Sequence, residues 1–217
     1  MKYPELSVVR FFFKNNLFSH PTPNPRVIEF GCGSGHNLRV FEDHGWECQG
    51  VDLAENQDFQ KDAVQGDWNV KTKFWSLDLN DPLPNEITTS EYDVVLFPSV
   101  TYYLHPTARL FLLEVMFKSL KPGGLLFLIE RLDSDYRYGK GLRTGSNGFC
   151  LDIAETGELG MTIQFFRKDE ILSTLSEISN SKLTEIVSLE YSYENLQADK
   201  IVRNSELVVW GKKQFKN

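Results

Sequence analysis

"VIEFGCGSGHNL", residues 27–38, decides how the rest of the chain is read. An apolar run carries one acid, Glu29, and passes into Gly31, Gly33 and Gly35, which alternate with Cys32 and Ser34 before a helix-forming stretch. A glycine turn from strand into helix lets main chain approach a ligand closely, and N–H groups at the helix start favour an anionic or electron-rich group. The spacing therefore predicts a strand–turn–helix unit with a ligand lying across the turn.

Working outward, "RVIEF" (26–30), "WECQGVD" (46–52), "KFWSLD" (73–78), "YDVVLF" (92–97) and "GLLFLIE" (124–130) are short runs rich in branched and aromatic residues, as buried strands are. Helical stretches at 34–44, 54–64 and 107–120 separate most of them. Such alternation predicts an α/β fold, a mostly parallel sheet with helices on both faces and right-handed crossovers. Strands this uniformly apolar agree, because both sheet faces are then covered. "RKDEILSTLSEI" (167–178) predicts another helix, and "KLTEIVSLEY" (182–191) with "SELVVWGKK" (205–213) an antiparallel pair at one edge. Leu6, Val9, Arg10, Phe13 and Leu17 share a helical face, so residues 5–17 form an amphipathic helix that "HPTPNP" ends. Residues 131–162 are polar, glycine-rich and unpatterned, and a loop of that length serves as a lid or binding loop.

The chain has 217 residues, enough for one α/β domain with a substantial core, and 41% apolar with 24% charged residues is an ordinary globular composition. A net charge of −7 repels polyphosphates and argues for a small-molecule partner over nucleic acid. No apolar run approaches the roughly 18 residues needed to span a bilayer, so no membrane partner is expected. Cys32, Cys48 and Cys150 are spaced neither as a disulfide framework nor as a zinc site, which suits a reducing cytoplasm.

The dinucleotide fingerprint is GxGxxG, whereas the glycines here are spaced GxGxG. That spacing behind an acid resembles motif I of the class I S-adenosylmethionine-dependent methyltransferases, through Glu29, Gly31, Cys32, Gly33 and Gly35. Asp52 ends the second strand, where a carboxylate accepts from paired ribose hydroxyls, and the resemblance puts Leu53 beside the adenine. Asp78 and Leu79 in "SLDLND" match the adenine-amine acceptor and the residue packing on the ring, with Asp81 a competitor for the polar role. "YDVVLFPSVTYYLH" resembles motif IV, placing Phe97 and Pro98 under the cofactor, and "LKPGG" (120–124) matches the turn into strand five. The resemblance implies a Rossmann-like seven-stranded sheet of order 3-2-1-4-5-7-6 with strand seven antiparallel, S-adenosylmethionine as cofactor and S-adenosylhomocysteine as product.

It also implies a division into an N-terminal helix or lid (1–22), a cofactor-binding core (26–130), an acceptor-side insert (131–166) and a C-terminal helix with edge strands (167–217). The insert is similar to that of a bacterial group of short, small-molecule methyltransferases, through Tyr138, Gly139, Lys140, Gly141, Asn147, Phe149, Gly160, Phe165 and Phe166. Where that group often carries histidines, this chain has Ile163 and Gln164.

A hydroxyl acceptor benefits from a general base, typically by about 10²- to 10⁴-fold. His105, Tyr102 and Tyr103 are the catalytic candidates, with Glu130 and Asp133 nearby, His36 near the methionine part, and Tyr138 and Asn147 on the acceptor side. "FPSV" lacks the [DNS]PP[YFW] tetrad associated with amino methylation of bases or glutamine, and Phe97 and Pro98 offer no oxygen to magnesium, so a metal-free transfer is expected. The alternatives are a non-catalytic S-adenosylmethionine-binding protein or partner subunit, and an NAD-linked oxidoreductase. A hydroxyl oxygen is the expected acceptor atom, and the sequence does not specify the oligomeric state.

Overall fold

The computed structural model describes residues 3–53 and 72–215. The predicted helix over 54–64 lies outside them. The apolar runs become β1 (Arg26–Phe30), β2 (Glu47–Asp52), β3 (Lys73–Ser76), β4 (Tyr92–Phe97) and β5 (Leu120–Arg131). Between and around them lie α1 (Leu6–Lys14), α2 (His36–Glu42), the short α3 (Asn85–Thr88) and α4 (Pro106–Ser119). The insert contributes β6 (Leu142–Arg143), β7 (Gly148–Cys150) and β8 (Thr162–Gln164), followed by α5 (Lys168–Ile178), β9 (Leu183–Gln197) and β10 (Lys200–Lys213).

The main sheet runs β3-β2-β1-β4-β5-β10-β9. Counted within this sheet alone that is the predicted order, and β10 runs against both β5 and β9. The order reverses between β1 and β4, which pair in parallel through Val27–Val94, Ile28–Val95 and Glu29–Leu96. A crevice opens beyond the carboxyl ends of strands at such a switch point.

Each face of the sheet has its own apolar layer. Ile28, Phe30, Val95 and Phe97 pack with Leu112, Leu113 and Met116 of α4 on one side. Val27, Val94, Leu96, Phe127 and Trp210 pack with Val8, Phe11 and Phe12 of α1 on the other. Helix α1 is therefore a fixed wall along its length: Phe11 lies 5.0 Å from Phe127 and Phe12 lies 4.9 Å from Phe41, ring centre to ring centre. The helix is shorter than predicted because Asn16 turns left-handed (φ 53°), a conformation asparagine tolerates, and a 3₁₀ turn over Leu17–Ser19 follows.

Two other expectations change. The stretch 131–162 is organised: β6, β7 and β8 form an antiparallel sheet over a satellite core of Tyr102, Phe149, Leu151, Ile163 and Phe165. The edge pair extends past 191 and begins before 205, with Gln197 facing Lys200 across Ala198 (φ 44°) and Asp199 (φ 62°). Two positive φ angles match the twist of a two-residue hairpin connection. Among the described residues no helix is long and apolar enough to cross a membrane.

Replacing Phe11 by alanine removes a fully buried ring from the α1 face of the core. The expected outcome is a loss of about 3–5 kcal/mol, read as a lowered denaturation midpoint at unchanged slope.

Candidate active site

The glycine turn is held from the neighbouring strand. The Val51 carbonyl accepts from Gly31 N at 2.8 Å and Cys32 N at 3.2 Å, and Gly33 N donates to Asp52 Oδ2 at 2.6 Å. Leu53 N donates to the other carboxylate oxygen, Oδ1, at 2.7 Å, so two main-chain donors set the plane of the Asp52 carboxylate. Gly31 must be glycine: its φ is +71°, and a Cβ there would lie 2.5 Å from Val100 Cγ2.

Two clefts meet on this turn and share Gly31, Gly33 and Ser99. The larger, about 590 Å³, holds Asp52, Leu53, Asp78 and Leu79, with Met161 and Thr162 of the insert on its far side. Asp78 stands beyond the end of β3 and accepts from Asn80 N and Nδ2, both at 2.9 Å. The smaller, about 340 Å³, is lined by Glu5, Cys32, His36, Asn37 and Pro98 among others. Phe97, expected under the ligand, instead stacks on Phe30 in the core at 5.1 Å, because the alternation of β4 turns it to the α4 face.

Asn37 of the smaller cleft joins two carboxyls, Glu29 and the cleft-lining Glu5, that are short of partners. Glu29 is fully buried; its Oε1 accepts from Asn37 Nδ2 at 2.7 Å, and its Oε2 has no hydrogen-bond partner. Burial pushes its pKa well above the carboxylate range, with Glu5 and Asp52 adding to the rise and Asn37 opposing it. Glu5 N donates to Asn37 Oδ1 at 2.7 Å, Glu5 Oε1 accepts from Ser99 Oγ at 3.3 Å, and Glu5 Oε2 is also buried without a partner. Burial, then the charge of Glu206, raises Glu5 to about 7, against the Ser99 hydrogen bond. Burial likewise raises the Cys32 thiol, so this cysteine is an uncharged wall. Uncompensated buried carboxyls at a cleft suit a ligand that carries positive charge.

The catalytic and acceptor candidates divide. Tyr103 lines the larger cleft, but its hydroxyl donates to Glu158 Oε1 at 2.6 Å. Burial, Tyr102 and Glu158 raise its pKa far above neutrality, so it is a phenol and not a base. Tyr102 is buried in the satellite core, and its oxygen accepts from an Arg131 guanidinium nitrogen at 3.0 Å. Burial works against the charge on Glu158, yet Arg131, the Tyr103 hydroxyl and Arg137 outweigh it and keep its pKa low. His105 is exposed outside both clefts, its Nδ1 2.8 Å from Thr107 Oγ1, because Pro106 starts α4 directly behind it and turns the ring outward. Glu130 is fully buried and paired with Arg109 at 2.6 Å, and Asp133 is exposed.

Tyr138 packs edge-on against Phe149 and Phe165, and Asn147 Nδ2 donates to Glu170 Oε2 at 3.4 Å; neither lines a cleft described here. His36 lines the smaller cleft. The sequence pattern does not single out Glu5 or Ser99, since an acid ahead of an amphipathic helix reads as a cap. The chemistry-bearing feature of Ser99 is a left-handed turn (φ 56°), which no local residue pattern announces.

A sequence model of the family described as methyltransferase domain matches residues 7–187. A search of curated proteins finds no match. Among solved structures, an S-adenosylmethionine-dependent methyltransferase from Methanosarcina mazei is 18% identical, covers 93% of this chain and 98% of its own, and superposes with a TM-score of 0.68. The Burkholderia thailandensis 1,6-didemethyltoxoflavin-N1-methyltransferase, with bound 1,6-didemethyltoxoflavin and S-adenosylhomocysteine, is 16% identical over 96% of this chain and 76% of that one, TM-score 0.62. The N-methyltransferase NodS from Bradyrhizobium japonicum, in complex with S-adenosylhomocysteine, is 15% identical over 95% and 83%, TM-score 0.60. At these identities the likeness establishes a shared fold.

The raised pKa of Glu5 gives a signed expectation. Between its ordinary value of 4.5 and about 7 the folded protein holds a proton here that the unfolded chain has lost, so this group's contribution to stability falls as pH rises through that window. Glutamine mimics the protonated side chain. Glu5→Gln should therefore melt about 2–6 °C above the parent at pH 8, with the gap closing by pH 4.5, in paired thermal scans.

Proposed function

The chain belongs to the methyltransferase domain family, and from that premise we propose that it transfers a methyl group from S-adenosylmethionine to a small molecule carrying a protic heteroatom, leaving S-adenosylhomocysteine. The observation that carries this reading is the pair of joined clefts on one glycine turn, with a fixed carboxylate at one end and, at the other, Glu5 linked through Asn37 to the buried Glu29, each keeping one oxygen without a partner among the described residues. An adenosyl sulfonium has matching parts: vicinal hydroxyls, a flat ring and a positively charged tail. Bound there, it supplies an electrophilic methyl carbon on positive sulfur.

The chain's own residues then have separate tasks. Asp52 accepts from the ribose hydroxyls, as an acid with several acceptor positions can. Leu53 and Leu79 flank the adenine and Asp78 accepts from its amine. The bare main chain of Gly31 and Gly33 lets the tail lie close, with Cys32, Gly35 and Pro98 completing the wall. Glu29, held by Asn37, and Glu5 put negative potential beside the tail, and a cation arriving there draws both toward the carboxylate form. Met161 and Thr162 bring the insert over the larger cleft and help exclude water.

The hydroxyl expected from the sequence is one protic acceptor and an amine is another. The complexes of similar fold support a small molecule in this role, since one of them holds 1,6-didemethyltoxoflavin beside S-adenosylhomocysteine. The dinucleotide alternative has less support, because the glycines of the turn are spaced GxGxG and not GxGxxG.

Replacing Asp52 by alanine should weaken S-adenosylhomocysteine binding by about 30-fold or more in calorimetry and, because Gly33 N and Leu53 N lose their acceptor, also lower the melting temperature by a few degrees. Unchanged affinity would remove the ribose role. Incubating the protein with tritiated S-adenosylmethionine and cell extract should put label into the low-molecular-weight fraction; label confined to macromolecules would overturn the small-molecule acceptor.

A further inference from the structure

A third cavity, of about 420 Å³, lies between the start of α1 and the β9–β10 hairpin, walled by Glu5, Arg10, Tyr191, Tyr193 and Glu206 with Leu6 and Ser7. Glu5 lines this cavity and the smaller cleft alike, so the two adjoin at this residue. Tyr191 and Glu206 are direct partners across the hairpin, which sets a ring and a carboxyl side by side. Resting on the methyltransferase reading above, we propose that this third cavity holds the methyl acceptor, that the acceptor is an amine arriving as a cation, and that Glu5 takes its proton.

Charge and shape select the amine. Two carboxyls and two tyrosine rings form a site that a compact cation satisfies through charge-assisted hydrogen bonds and ring faces. Among the described residues, the chain's own cations are engaged at its rim or elsewhere. Arg10 donates to the Tyr191 hydroxyl at 2.8 Å on the exposed rim. Arg131, the β5 partner of Glu206, is engaged by the Tyr102 hydroxyl at 3.0 Å and by Glu158 at 3.4 Å. A neutral alcohol brings no charge that would favour the carboxylate form of either carboxyl. Burial raises Glu206 as well as Glu5, with Arg131 opposing and Asp135 adding, so a cation between them relieves both.

The step balances. The ammonium gives one proton to a Glu5 carboxylate oxygen, and the freed nitrogen lone pair forms the bond to the methyl carbon. The electrons of the carbon–sulfur bond return to sulfur, which becomes a neutral thioether. The product is an N-methylated ammonium, and Glu5 passes its proton to solvent. Among the described residues the charged and titratable groups around Glu5 are Tyr3 before it, Arg10 on α1, Glu29 on β1, Cys32 on the glycine turn, His36 on α2, Tyr191 and Tyr193 on β9 and Glu206 on β10. Of these, Glu206 adds most to the pull of burial on Glu5.

The probes are tyramine and its alcohol counterpart of the same shape, 2-(4-hydroxyphenyl)ethanol, titrated calorimetrically into protein saturated with S-adenosylhomocysteine. Tyramine should bind at least about tenfold tighter than the alcohol at pH 8 and lose about tenfold between pH 8 and pH 6, as Glu5 gains its proton. Glu5→Gln should abolish that pH dependence, a readout that loss of packing alone would not move, and Glu206→Gln should weaken tyramine by about tenfold while sparing S-adenosylhomocysteine. Equal affinity for the two probes, binding of neither, or a pH dependence that survives in Glu5→Gln overturns the amine assignment and leaves the methyltransferase reading standing. Failure of the unsubstituted protein to bind S-adenosylhomocysteine overturns the reading on which the assignment rests.

Discussion

The end of β2 holds the glycine turn, and most of the architecture serves that contact. One carbonyl, Val51, accepts from two consecutive amides, and the next side chain, Asp52, accepts from a third. Buried main-chain donors must find acceptors, so a turn with three left-handed glycines keeps one shape only if a neighbouring strand supplies them. The parallel register of β1 against β2 brings Phe30 to Val51 and so delivers that strand end to the turn. β4, on the other side of β1, ends at Pro98 and the left-handed Ser99, which closes the crevice from the opposite edge. The site is thus a consequence of strand order.

Two kinds of buried charge sit around the crevice, and they behave differently. Glu158 lies among Arg131, Arg137 and the Tyr103 hydroxyl, so its negative charge is compensated within the chain and fixes the insert to the sheet. Arg137 extends that fixation through Asp135, whose second oxygen accepts from Ser205 N at 2.9 Å. Glu29 and Glu5 have no such cations and each keeps an oxygen without a hydrogen-bond partner among the described residues. A satisfied network rigidifies, whereas an unsatisfied one stores a cost that a ligand of opposite charge can remove. The first kind holds the insert in place, and of the second kind Glu5 lines a cleft while Glu29 is joined to it through Asn37.

The parts legible in the sequence are those where local pattern and tertiary environment agree. The five core strands stand out because burial on both faces makes them continuously apolar, and the glycine spacing with Asp52, Asp78 and Leu79 lands on the crevice. β6, β7 and β8 are two or three residues long, too short to show alternation. The far half of the hairpin mixes Tyr193, Leu196, Ile201 and Val202 with charged and amide residues in no steady alternation, so its ladder shows only in three dimensions. Tyr102 and Tyr103 look like bases on composition; the partner that makes Tyr103 a donor, Glu158, is 55 positions away. His105 sits close to the end of β4 in sequence and is turned away by the helix that starts at Pro106.

Glu5 shows why a stable wall and a reactive group can share one element. The helix behind it is anchored by fully buried Phe11 and Phe12, so its position does not depend on Glu5. That anchoring lets the first turn carry a carboxyl whose ionisation is opposed by burial and by Glu206. In an exposed loop the same side chain would be solvated, ordinary in acidity and free to move. Held here, its acidity is shifted into the range where a proton can be both taken and released near neutral pH. A folded state ordinarily discards such a group, because it lowers stability whenever it is charged. Its place where two cavities adjoin suits a group whose charged form is drawn out when both are filled, and the packing of two phenylalanines supplies the rigidity that this requires.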